Sequence, residues 1–249
     1  MASTGKVSRA VPTGYPDGEE IGLRETKFGE LAVQPFAGAR QMLADEGSYF
    51  IATNPTPMTP IAVTTSIVTF AQTAGAVGVA FLLINTEQST AVGAKRVFLD
   101  YFKILLSTQL PTTATSLEYA AVLDDNPVRY TSGGSAITPV NPNTEKASGG
   151  SIVTMYAGAI TTAVPTSGRL VARGLWRGQI GILMDQHVLV FGGDPAKAGN
   201  WNSGNVIVKT IEIAPPVILG PGWNLAITLW SAGVAAAARY EFEFGWWEK

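Results

Sequence analysis

Few residues in this chain could do chemistry. His187 is the single histidine, and in "LMDQHVLVF" it follows Asp185 at a spacing that puts both side chains on one face of a strand. A Ser-His-Asp relay needs that proximity plus a nucleophile, and a zinc centre needs several nitrogen or sulfur ligands. The chain has no cysteine, which removes thiolate metal sites, cysteine nucleophiles and disulfides together. A polar pair at a strand end is therefore expected of Asp185 and His187.

"LDDNPV", Leu123–Val128, sets Asp124 and Asp125 before Asn126 and Pro127. Adjacent carboxylates could hold calcium, but the spacing of an EF-hand loop and its distal glutamate are missing, so Asp and Asn capping a turn is the expectation. "FGGDPAKAGNWNSGN", Phe191–Asn205, lacks the Gly-Lys-Ser/Thr ending of a phosphate-cradling loop. Trp201 there, between two asparagines, could stack on a sugar or on a neighbouring subunit. "GLWRGQIG", Gly174–Gly181, places Trp176 near Arg173 and Arg177, which reads as a core tryptophan flanked by surface arginines. No cofactor or metal is expected.

The elements that must position these residues are strands. Runs such as "GVAFLLIN", "KRVFLDYFKILLS", "LEYAAVL", "SIVTMYAG", "RLVARGLW", "GQIGILM", "HVLVFG", "NVIVKTIEI" and "LAITLW" alternate with Gly, Pro, Asn, Asp or Ser clusters. Short strands of similar length predict a sandwich or barrel. "RYEFEFGWW", Arg239–Trp247, should be a half-buried terminal strand with Tyr240, Phe242 and Phe244 on one face and Arg239, Glu241 and Glu243 on the other. Residues 126–151 have the composition of a long surface excursion, a kind of loop that usually carries function or contacts.

Good helix formers from Ala37 to Glu46, followed by Gly47, predict one short helix over about residues 37–46. Residues 1–60 otherwise read as an extended arm. The Pro-rich "TNPTPMTP", 53–60, sets the boundary to a sandwich domain spanning 61–249. The arm's scattered apolar residues Val7, Tyr15, Ile21, Leu23 and Phe28 are candidate anchors on a partner.

Only 14% of the 249 residues are charged while 46% are hydrophobic, against roughly 25% charged in an ordinary soluble domain. Such a neutral surface favours self-association or membership of an assembly. Seventeen basic against nineteen acidic residues give no pull toward nucleic acid or anionic lipid. The uncharged stretch 61–85 is broken by threonines, glutamine and glycines, which fits two strands and a turn better than a membrane helix. The first twenty residues carry no secretory pattern, so synthesis in a cytoplasm is expected.

The order of "ARQMLADEGSYFIATNPT", "TPIAVTTSIVTF", "GVAFLLINT" and "ILGPGWNLAITLWSAGVAAAARYEFEFGWWEK" resembles structural proteins of tailed bacteriophages with a jelly-roll-like domain. In that pattern a Pro-Gly-Trp or Pro-Gly-Gly turn precedes the penultimate strand, an alanine-rich hairpin follows, and the chain ends in an aromatic strand with Trp-Glu. The likeness covers most of residues 36–249 and rests on strand and turn patterns. It implies a virion component, often multimeric, that decorates or cements a head or builds part of a tail or fibre.

The leading expectation is thus an all-β, antiparallel jelly-roll-like sandwich with an extended N-terminal arm. It would be a non-enzymatic virion protein made in the host cytoplasm, a homo-oligomer expected as a trimer. Its partners would be other virion proteins such as the major capsid protein, with no nucleic acid and no membrane. In that reading Pro221 and Gly222 turn the chain between framework strands, and Trp223 and Trp230 supply apolar area. A carbohydrate- or receptor-binding sandwich using Trp201 and Tyr130 is the second reading. A hydrolase using Asp124, Asp125 or Asp185 is the third, and would need two carboxylates about 5 to 9 Å apart across an open cleft.

Overall fold

The computed structural model describes residues 39–56, 59–62, 79–88, 93–108, 117–145, 150–163, 168–177, 184–192, 200–203, 206–213, 216–230 and 239–249. Val7, Tyr15, Ile21, Leu23 and Phe28 lie outside the described residues, as do 63–78 and "GQIGIL" at 178–183. Residues Leu43–Lys249 form one compact unit.

The helix expected before Gly47 is α1 (Ala39–Glu46). Gly47 takes φ 77°, the left-handed conformation that costs glycine nothing. Its N–H bonds the Ala44 carbonyl (3.1 Å) while the Ser48 N–H bonds that of Leu43 (3.0 Å), closing the last turn in a Schellman pattern.

Strands make up the rest of the regular structure among the described residues: β1 (Tyr49–Thr53), β2 (Ile61–Ala62), β3 (Val79–Asn85), β4 (Val97–Thr108), β5 (Leu117–Asp124), β6 (Tyr130–Ile137), β7 (Val153–Thr162), β8 (Arg169–Arg177), β9 (Gln186–Phe191), β10 (Asn200–Ser203), β11 (Val206–Ile213), β12 (Ile218–Leu219), β13 (Asn224–Trp230) and β14 (Arg239–Glu248). One sheet runs β1-β14-β4-β9-β11-β10, with β12 beside β4 and β2 beside β14; the other runs β6-β7-β3-β13-β5-β8.

Eight of these strands, β1, β3, β4, β5, β8, β9, β13 and β14, form nested antiparallel pairs: first with last, second with seventh, third with sixth, fourth with fifth. That is a long hairpin rolled up on itself, closed by β14 against β4 and β13 against β5. Rolling yields two packed sheets in the jelly-roll order. The fold is an all-β sandwich of this kind. Insertions elaborate it: the β6–β7 hairpin extends one sheet beyond β3, and β11 joins the other beside β9 as a parallel neighbour.

The core lies between the sheets and is rich in aromatics. Phe81 of β3 meets Phe102 of β4 and Phe242 of β14 edge-on, with ring centroids 4.7 and 4.9 Å apart. Tyr240, Phe242 and Phe244 are buried, as the alternation predicts. Trp246 continues that alternation and is fully buried; between Gly245 and Trp246 the pairing skips one residue of β4, so that the inward-facing set on β4 passes from Phe102, Ile104 and Leu106 to Leu99 and Val97. The skipped residue, Asp100, is buried and accepts a hydrogen bond from the Tyr49 hydroxyl at 2.7 Å.

On the outer face of that sheet Glu243 accepts hydrogen bonds from Tyr101 (2.5 Å) and Lys103 (2.8 Å). Burial alone would raise its pKa, but these bonds and the ammonium charge together hold it below the ordinary value. A carboxyl whose pKa is lower folded than unfolded adds stability above its unfolded pKa and loses it as pH falls through the folded one. Glu243→Gln is therefore expected to lower stability at neutral pH and to flatten the acid limb below about pH 4.5, read by urea unfolding across pH.

Three expectations are corrected. The sandwich takes up the chain before the boundary at 53–60, because β1 pairs with β14 and buries Tyr49, Phe50 and Ala52. Residues 126–151 are not one loop: they contain β6, an edge strand whose residues Thr131–Ala136 are all exposed, so no apolar alternation announced it. Its register on β7 breaks twice, and such bulges twist an edge away from stray pairing. The segment after β6 makes its contacts within the chain: Val140 bridges to Ile51, and Asn141 and Asn143 donate to the Gly47 and Asp45 carbonyls at the end of α1. Trp201 lies not in a loop but in β10, opposite Val208.

Met184, expected to end a strand, is an exposed turn residue with φ 74°. A side chain in that region costs about 1–2 kcal/mol. Met184→Gly is expected to stabilise the protein by about 0.5–1 kcal/mol, net of glycine's entropy cost, in urea unfolding. Among the described residues no helix is long and apolar enough to cross a membrane.

Candidate binding cleft

At one end of the sandwich three turns enclose a cleft of about 610 Å3, lined by residues 84–88 after β3, Asp125 and Pro127 after β5, and Pro221, Gly222 and Trp223 before β13. Asn85 ties the first and the third of these turns together. It is fully buried. Its amide donates to the Lys95 and Leu219 carbonyls (3.0 and 3.2 Å), and its side-chain oxygen accepts from the Glu87 N–H (3.0 Å). Its backbone N–H bonds the Trp223 carbonyl (2.9 Å), and its own carbonyl accepts from Gly222 (3.1 Å). The Pro-Gly turn is possible because Gly222 takes φ 75°.

Trp223 is half-buried against the core, and the Arg169 guanidinium sits 4.7 Å over its ring, an arrangement that fixes the indole. Glu87 and Gln88 stand on one wall and Asp125 on the other. Thr86 is already committed, its hydroxyl donating to Ile152 at 2.7 Å.

Behind Asp125 lies a buried ion pair. Asp124 Oδ2 and Arg129 Nε are 3.5 Å apart with both side chains about 1% exposed. Arg129 also donates to the Ala163 carbonyl. Burial pushes the Arg129 pKa down and Asp124 opposes the shift. Asp124 Oδ1 accepts from the Asn126 N–H (3.3 Å) and Asn126 Oδ1 from that of Val128 (3.0 Å), so these side chains cap the turn as expected. Asn224, fully buried beside them, donates to the Asn126 carbonyl at 2.9 Å.

The structure brings few of the sequence candidates together. Of the three aspartates, Asp124 and Asp185 are buried and Asp125 alone lines the cleft. Asp185 and His187 both face the interior, with His187 in β9 opposite Ile104 and Lys209. Burial lowers the Lys209 pKa, and its ammonium crosses to the other sheet to bond the Leu175 carbonyl of β8 at 2.9 Å. Tyr130 stacks on Tyr156 with ring centroids 3.7 Å apart, so one of its faces is taken. Glu87, Gln88 and Trp223 were missed as cleft residues. The proline-glycine turn was visible, but only β3 and β5 ending at the same rim reveal what it faces. Among the described residues no group of three His, Cys, Asp or Glu is placed to hold a metal. No protein-family model, curated protein or solved structure matches this chain.

Proposed function

We propose that the protein is a non-enzymatic structural subunit of a bacteriophage virion, a head decoration or cement protein or a tail or fibre component, that self-associates and binds neighbouring virion proteins. The observation that carries this reading is an apolar row across the outer face of the larger sheet. Ile218, Phe98 and Trp247 are direct cross-strand neighbours on β12, β4 and β14. Ile218 is 42% exposed, and the Phe98 and Trp247 rings stack at 5.6 Å. On a surface with so little charge, such a row suits a second copy of the chain. The jelly-roll order supports the same reading by fold analogy alone.

Light scattering is the test. Full-length protein is expected to be a closed multimer, a trimer being the expected form, and Ile218→Asp should weaken association by at least about tenfold. A version lacking residues 1–34 should keep its fold, because Leu43–Lys249 is a compact unit, yet fail to enter virions. A monomeric full-length protein, or normal virion incorporation of the truncated one, would overturn the reading.

A further inference from the structure

The cleft beneath the Pro-Gly-Trp turn goes beyond assembly, and its chemistry selects among ligands. Its volume, about 610 Å3, falls inside the roughly 300–1,000 Å3 of small-molecule sites. The turns carrying Glu87 and Trp223 are tied together by Asn85, and the turn carrying Asp125 is held by Asp124, Asn126 and Asn224, so binding would require little ordering of the protein. Among the described residues, the lining side chains that make no hydrogen bond or ion pair are two carboxylates, Glu87 and Asp125, and one amide, Gln88; the apolar wall is Trp223.

Two carboxylates repel a phosphate or any other anion. A wholly apolar ligand would strip water from both without replacing their hydrogen bonds. A cation would pair with the carboxylates alone, and its salt-sensitive binding is the rival outcome of the test below; a neutral molecule rich in hydroxyl donors that also carries a flat apolar face would satisfy the carboxylates and the indole together. Hydroxyls donating to ionised carboxylates make the shorter, stronger kind of hydrogen bond, and the C–H face of a pyranose ring packs on the part of the half-buried indole that the Arg169 guanidinium and the core leave open.

We propose that the cleft binds a saccharide, with Trp223 as its apolar wall and Glu87, Gln88 and Asp125 as its hydrogen-bonding partners. This site is separate from the positions Trp201 and Tyr130 that the sequence suggested, and it does not depend on the assembly reading.

The test is amide and indole NMR of the labelled full-length protein titrated with glucose, galactose, mannose and N-acetylglucosamine. At least one sugar should shift the signals of Glu87, Gln88, Asp125, Gly222 and the Trp223 indole, with a Kd of about 1 mM. Because the ligand is neutral, that Kd should hold from low to high salt. Trp223→Ala removes the wall but also loosens the core, so the deciding variant is the double change Glu87→Ala with Asp125→Ala, which should weaken binding at least tenfold while leaving Tm in place. The proposal falls if none of the sugars shifts these signals, if the double variant binds as tightly as the parent, or if lysine methyl ester binds here in a salt-sensitive way while the sugars do not.

Discussion

Arg129→Met should destabilise the protein by about 3–5 kcal/mol, because it leaves the Asp124 carboxylate buried without its counter-charge. For a chain of this size that is a fall in Tm of roughly 10 °C. The double variant Asp124→Leu with Arg129→Met should recover most of the loss, since replacing both ions by apolar groups removes the desolvation problem altogether. About 1–2 kcal/mol should remain lost, because the Ala163 carbonyl and the Asn126 N–H lose their partners. Urea unfolding of the parent, the single variants and the double gives the coupling directly. A double variant as unstable as the sum of the singles would show that the pair does not act as a unit.

Asn85→Ala should cost about 2–3 kcal/mol, since the buried bond to the Leu219 carbonyl and the half-buried bonds to the Lys95 carbonyl and from the Glu87 N–H are lost at once. Asn85→Asp, nearly the same in shape, should be at least as damaging at neutral pH. Its carboxylate would turn oxygens toward the Lys95 and Leu219 carbonyls where the amide now donates. Both variants should also disturb the cleft, read as a changed environment for the Trp223 indole. If Asn85→Asp folds as well as the parent, the clamp is not what positions the turn.

Much of the fold was legible where a local rule applied. The helix stop at Gly47 needed only a left-handed residue after a run of helix formers. The faces of β14 followed from period-two alternation, and Asp124 and Asn126 capped their turn as short polar side chains do. Legibility failed where side chains were not sorted by burial. β6 is exposed along nearly its whole length, so its strand character comes from β7 alone. β1 is a five-residue run between a helix and a Pro-rich segment, and nothing local says that it will lie beside β14.

By itself, then, the sequence determined a two-sheet β-protein with neutral surfaces and no thiol chemistry, because alternation, turn residues and composition act over a few residues or over the whole chain without regard to partners. The tertiary structure alone decided which strands wrap around which, and that decided the cleft. Asn85, Asp125 and Trp223 are far apart in the chain and meet because rolling the hairpin brings the ends of β3 and β5 and the start of β13 to one rim. It likewise decided that Asp124 is half of an ion pair while its neighbour Asp125 faces solvent: successive residues where β5 gives way to its turn point opposite ways, and only the packed structure says which way is in.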